Sequence, residues 1–387
     1  MNEKIEALRE KLKSMNMQGM IITNPLSIRY LTNIDAEGVL LITRRENVYI
    51  TDGRYIEKVN NTLTIDDEII VYDVKELIKE DYENFFIFCE NVGFEEAHLT
   101  YAKYKEYMHK YKINNFEETE GLIERFRIIK KEDEIDCIKK ACLITDECFD
   151  YLKKFIKIGM TEKEIAYEIE KFFMTHGADG LAFDTIVASG INSSMPHAVP
   201  TDKKIEDGDP ITIDMGCRYK GYCSDMTRTV FAGHVPQYMK PAYDLVLKTQ
   251  IRVLEEYKEG ANLKTIAQGV ESDFKLNGVT MIHSLGHGVG LEIHEYPFIS
   301  SKYDYLLKEN MVITDEPGIY IAGRFGIRIE DTVLITKYAS QNLTLSDKSY
   351  VVVGNWTCIS IEHKPLTARY PQRWHLNILY YVRLLAL

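Results

Sequence analysis

Asp214 and Asp225 stand in a stretch whose pattern permits little besides a β-hairpin, and that hairpin constrains the whole second half of the chain. The segment Ile211-Thr-Ile-Asp214-Met-Gly-Cys-Arg-Tyr-Lys-Gly-Tyr-Cys-Ser-Asp225-Met-Thr-Arg turns at Lys220-Gly221, where a two-residue loop pairs Tyr219 with Tyr222. That register sets Gly216 opposite Asp225 and Asp214 opposite Thr227. Side chains alternate faces along a strand, so the two aspartates share a face as diagonal neighbours, roughly 7–8 Å apart at the backbone. The bland explanation is two polar residues on the wet side of a sheet. Against it, Asp is depleted in strands, and Asp214 lies in an apolar Ile-Thr-Ile setting. A buried carboxylate without a partner is costly, which favours a metal ion beside these two.

The 387 residues suit two domains, and 45% hydrophobic with 27% charged residues fits a globular protein. A net charge of −12 argues against nucleic acid or an anionic membrane as partner, since both need clustered Lys and Arg. The opening MNEKIEALREKLKSMNMQG is charged and helical in period, without the apolar core of a signal peptide, and no run of 18 apolar residues exists to span a bilayer. Seven cysteines (Cys89, Cys137, Cys142, Cys148, Cys217, Cys223, Cys358) without a C-x-x-C pair fit reduced thiols better than a disulfide framework. The expected location is the cytoplasm.

The first 120 or so residues alternate helical and strand-like stretches: a helix over 3–15, strands over 19–22, 38–42 and 47–50, and further strands near 69–72 and 85–88 around a helical piece. This predicts an α/β domain over 1–123. A helix follows over about 131–157, and Thr161-Glu-Lys-Glu164 is a capping box opening another that ends near Gly177. From Ile211 the chain turns β-rich, with helices over 241–258 and 263–276. The second domain is placed at 124–353. The remainder, 354–387, holds both tryptophans, Trp356 and Trp374, and is compositionally foreign.

Four more segments join the hairpin. Pro196-His197-Ala-Val-Pro200 is a rigid loop presenting an imidazole; alone, it describes a surface turn equally well. In His283-Ser-Leu-Gly-His287-Gly-Val-Gly-Leu-Glu-Ile-His294-Glu295, the glycines argue against a helix carrying both His283 and His287. They lack the spacing of a phosphate loop and fit close backbone approach at a crowded site. In Thr314-Asp-Glu316-Pro317-Gly, Pro317 forces Glu316 into an extended conformation. In Gly326-Ile-Arg328-Ile-Glu330-Asp, Arg328 and Glu330 point the same way on a regular strand. Whether Glu316 and Glu330 share a face depends on a loop register that the sequence leaves open.

Together, PHAVP, DMG…SDMTRT, HSLGHGVGLEIHE, TDEPGIY and GIRIEDT make the chain resemble the creatinase/aminopeptidase P/prolidase family of pita-bread metallopeptidases over about 124–353. NPLSIRYLT and TDGRY resemble its N-terminal domain more loosely. The resemblance implies a creatinase-like α/β domain, then a catalytic domain with a curved, mainly antiparallel sheet flanked by helices. It implies a dinuclear site of Asp214, Asp225, His287, Glu316 and Glu330, with Asp225 and Glu330 bridging. His197 and His294 match the family's catalytic histidines, Arg328 an active-site arginine, and His283 a substrate-pocket histidine.

Four carboxylates and one imidazole suit Mn²⁺, with Co²⁺ or Zn²⁺ as substitutes in vitro. Two ions roughly 3.5–4 Å apart activate water and polarise a carbonyl, with Glu316 moving the proton. The expected activity is hydrolysis between an N-terminal residue and proline, as an Xaa-Pro aminopeptidase or dipeptidase, by a homodimer. The alternatives are a methionine aminopeptidase relative, against which the N-terminal domain argues, and a silent binding protein on the same fold, which would have shed ligands. Asp315 departs from the family, which usually has an apolar residue there; the expectation is altered metal preference or weakened packing.

Overall fold

The computed structural model describes residues 2–354; the tail expectations, Trp356, Trp374 and Cys358 included, fall outside the described residues. A six-stranded sheet organises the first 120 residues, in the order Ile69–Asp73, Asn47–Thr51, Val39–Thr43, Gly19–Ile22, Asn91–Phe94, Asn115–Glu118. The three central strands pair antiparallel, and the outer pairings are parallel. Period-two burial divides its side chains between two cores. Met20, Ile22, Leu40 and Ile42 meet Ile5, Leu8 and Leu12 of the helix Glu3–Ser14. Ile21, Leu41 and Val48 meet Phe86, Tyr107 and Tyr111 on the other side. Asn2 caps the first helix, its side chain accepting from the backbone N–H of Lys4 and Ile5.

The strand expected at 85–88 is not there. Lys79–Asn84 is helical, residues 85–88 form a turn, and the strand is Asn91–Phe94. The run Phe85-Phe86-Ile87-Phe88 looked like a buried strand because it is apolar. In fact Phe86 alone of the four enters the core fully, while Ile87 and Phe88 face outward and the Arg45 guanidinium covers the Phe88 ring.

Residues 132–354 build two helix-on-sheet halves. The helices Glu132–Phe155 and Glu162–Thr175 cover a four-stranded sheet containing Ile186–Ser189, Pro210–Met215 and Met226–Ala232. The capping box is present: Thr161 Oγ1 accepts from Glu164 N–H, and the Glu164 carboxylate accepts from Thr161 N–H at 2.7 Å. The helices Lys240–Glu256 and Leu263–Leu276 pack on the second half, whose strands include Gly286–Gly288, Glu295–Ile299, Val312–Asp315 and Asp331–Ile335. Pairing in both halves is antiparallel except where Val352–Val353 joins Met226–Ala232. Among the described residues no helix is long and apolar enough to cross a membrane, and the six described cysteines are free thiols.

Candidate metal centre

The hairpin forms in the register its turn dictates: Tyr219 faces Tyr222 and Asp214 faces Thr227. Lys220 and Gly221 both adopt positive φ at the turn. The register that the sequence left open is now visible. Asp315 pairs with Asp331, and Gly318 pairs with Arg328. The same register runs through both pairs, so Glu316 and Glu330 occupy opposed positions where one long hairpin breaks between Val312–Asp315 and Gly318–Ile321. Arg328 ends its strand, and Glu330 lies in the break, its N–H donating to Thr227 carbonyl oxygen at 3.0 Å.

These breaks open onto a cavity of about 600 Å³. Asp214, Asp225, His287, Glu316, Glu330, Arg328, His197, His283 and His294 all line it. Gly286, Gly288 and Gly290 let the backbone close around it: a Cβ on Gly286 would lie 2.3 Å from the Thr314 carbonyl oxygen, and one on Gly288 the same distance from that of Tyr296. His283 and His287 sit on no common helix; Gly286–Gly288 is a strand.

The electrostatics of this wall call for a cation. His287 Nδ1 donates to the Gly288 carbonyl at 3.1 Å, which turns the Nε2 lone pair toward Asp225 and Glu316, each 3.5 Å away. Burial, with His294 beside it, holds the His287 imidazole down at about 3, so it faces two carboxylates as a neutral acceptor. Single ligand atoms of Asp225, His287 and Glu330 lie within 4.8 Å of one another. Burial, then repulsion from the neighbouring carboxylates, pushes Asp225 and Glu316 well above the usual range. Glu330 is pushed up to about 8, by burial first and Asp214 next. Asp214 Oδ1 is buried without a hydrogen-bond partner. Four carboxylates are thus served by one guanidinium, and a divalent cation supplies the missing charge. The donor set fits such ions.

Arg328 is anchored on every nitrogen. It donates to Asp214 Oδ2 at 2.6 Å, Thr227 Oγ1 at 3.0 Å, Tyr320 Oη at 2.7 Å and the Pro196 carbonyl at 3.2 Å. Tyr320 Oη in turn donates to His283 Nε2 at 3.0 Å, whose Nδ1–H donates to the Ser284 carbonyl at 2.8 Å. Tyr320 and Thr227, which also donates to Glu330 Oε2 at 2.6 Å, had no assigned role in the sequence. Both stand inside the motifs TDEPGIY and SDMTRT, two residues or fewer from a charged site residue or four from one, and that adjacency was their only signal. The His294 ring meets that of His287 edge-on at 4.4 Å. Asp315 does not line the cavity; it is fully buried with both carboxylate oxygens unpartnered.

Comparison with known proteins adds an independent finding. The model of metallopeptidase family M24 matches residues 136–337, and that of the creatinase/prolidase N-terminal domain matches residues 4–129. An Xaa-Pro dipeptidase of Pyrococcus horikoshii is 36% identical over 91% of this chain and 99% of its own length. Among solved structures, an Xaa-Pro dipeptidase from Bacillus anthracis superposes with a TM-score of 0.85 at 37% identity, covering 91% of this chain and 99% of that one. An X-Pro aminopeptidase from Thermotoga maritima does so with a TM-score of 0.82 at 33% identity, covering 89% and 100%. The similarity spans both sheet systems and includes the carboxylate-rich cavity: the chain belongs to metallopeptidase family M24.

Proposed function

We propose that this protein hydrolyses the peptide bond between an N-terminal residue and proline, using two divalent ions held by Asp214, Asp225, His287, Glu316 and Glu330. The observation that carries this reading is the set of buried carboxylates around the His287 Nε2 lone pair, uncompensated by the chain's own cations. Asp225 and Glu330, which stand together with His287, would be the carboxylates shared in holding the ions. Ions held there supply Lewis acidity at the scissile carbonyl and a more acidic attacking water. Mn²⁺ is the proposed ion, because the set is rich in hard oxygen donors.

The chain's own residues do the rest. Glu316 takes a proton from the attacking water and passes it to the proline nitrogen, which lacks a hydrogen of its own. His197 and His294 donate to the developing oxyanion. Arg328 holds Asp214, and His283, held in turn by Tyr320, stands in the substrate wall. We further propose a domain boundary near residue 124, a homodimer and a cytoplasmic location.

The test is release of the first residue from Xaa-Pro peptides by chelator-treated protein, with and without Mn²⁺. Release only with the ion is expected, and its loss in Asp225→Asn. Full activity of Asp225→Asn would remove the assignment.

A further inference from the structure

Resting on the reading above, we propose that this peptidase selects substrates whose proline carboxyl is blocked, as in a tripeptide or longer, over free Xaa-Pro dipeptides. A free dipeptide brings a carboxylate into the cavity one residue beyond the scissile bond. In any longer peptide the same carbon is a neutral amide. A carboxylate taken from water into a confined site needs a cation or several donors to replace its hydration.

Among the described residues the cavity wall offers a single Lys or Arg, which is Arg328. That guanidinium is spent: each of its nitrogens already donates, to Asp214, Thr227, Tyr320 and Pro196. It is 3% exposed. The four carboxylates of the centre would match two divalent ions in charge, and the one guanidinium beside them is already committed to Asp214. Beyond the centre the wall presents Phe183, Ile186, Val199, Ile293 and Phe298 beside the uncharged donors Thr185 and Ser284 and the histidines already assigned, and among the described residues its remaining charged group is the carboxylate of Asp184. Phe298 sits directly across the strands from His287. Such a wall accommodates a proline ring and a neutral chain leaving it, and repels a terminal carboxylate.

Three substrates of the full-length protein with Mn²⁺ separate charge from length: Ala-Pro, Ala-Pro-amide and Ala-Pro-Ala. The amide matches the dipeptide in size and lacks only its charge. The expected result is kcat/KM at least ten-fold higher for both the amide and the tripeptide than for free Ala-Pro. Equal or better turnover of Ala-Pro overturns the proposal while leaving Xaa-Pro hydrolysis standing. An amide as poor as the acid, beside a good tripeptide, also overturns it, because length would then govern selection. Turnover of none of the three removes the underlying function and this inference with it.

Discussion

Glu330 and Asp331, consecutive in the broken hairpin, are both buried carboxylates with opposite electrostatics. On the cavity face stand Glu316 and Glu330, the latter accepting from Thr227; their sequence neighbours Asp315 and Asp331 do not line the cavity. Asp331 is fully buried, yet Arg228 donates to it at 2.7 Å, Lys348 at 2.6 Å and Gln250 at 2.8 Å, with Asn342 and Thr344 completing its shell. Burial would raise its carboxyl, but Arg228 and Lys348 prevail and hold it below the ordinary range. Glu330, one residue earlier, is pushed up to about 8, chiefly by burial and next by Asp214. Burial is common to both, so it does not mark a ligand. What separates them is whether the chain supplies its own cations.

The strongest way to break this comparison is Glu330→Gln. It is expected to abolish divalent-ion binding, read by calorimetric titration, and to bring peptide hydrolysis to background. That exceeds the roughly 10–100-fold cost of losing a supporting outer residue at a metal site. Unchanged ion affinity would mean that the cavity face is not the centre.

Asp331→Ala strikes the opposite face. It leaves Arg228 and Lys348 buried without their carboxylate and is expected to cost about 3–5 kcal/mol in denaturant unfolding. A variant as stable as the parent would show that the back-face ion cluster is dispensable.

A pH series sharpens the contrast. Glu330 in the metal-free fold keeps its proton up to about 8, against an ordinary 4.5. The unfolded chain therefore releases that proton first as pH rises. The stability contribution is full below the ordinary value and lost as pH climbs through the folded one. The thermal midpoint of chelator-treated protein should fall by several degrees between pH 5 and pH 8, and Mn²⁺ should remove most of that fall. A midpoint that rises over this range, metal-free, contradicts the uncompensated face.

The smallest effect is expected at Asp315, whose carboxyl is driven well above its usual range by burial and by Asp331. Its oxygens have no partner, so Asp315→Val should stabilise the protein by about 1–3 kcal/mol in denaturant unfolding. Asp315 stays outside the cavity with both oxygens buried, while its charge still acts on the neighbouring Glu316 carboxyl. Destabilisation on Asp315→Val would reveal a partner for it.

Local patterns were enough to determine much of this molecule. The Lys220-Gly221 turn fixed the hairpin register, Thr161 and Glu164 fixed a helix start, and alternation fixed most of the N-terminal sheet. The run at 85–88 misled because hydrophobicity alone does not distinguish a strand from a turn that buries one aromatic ring. The site residues could be named because their short motifs resemble those of a known family; of them only His197, His287 and Glu316 stand directly beside Gly or Pro. The opposition of Glu316 and Glu330 was beyond sequence reading, since it depends on one register continuing across two separate strand pairs. So was the fate of each carboxylate. Arg228, Lys348 and Gln250 reach Asp331 from positions 81 to 103 residues away or from 17 beyond it. Charge compensation depends on distance in space, and only the folded chain sets which cations come near.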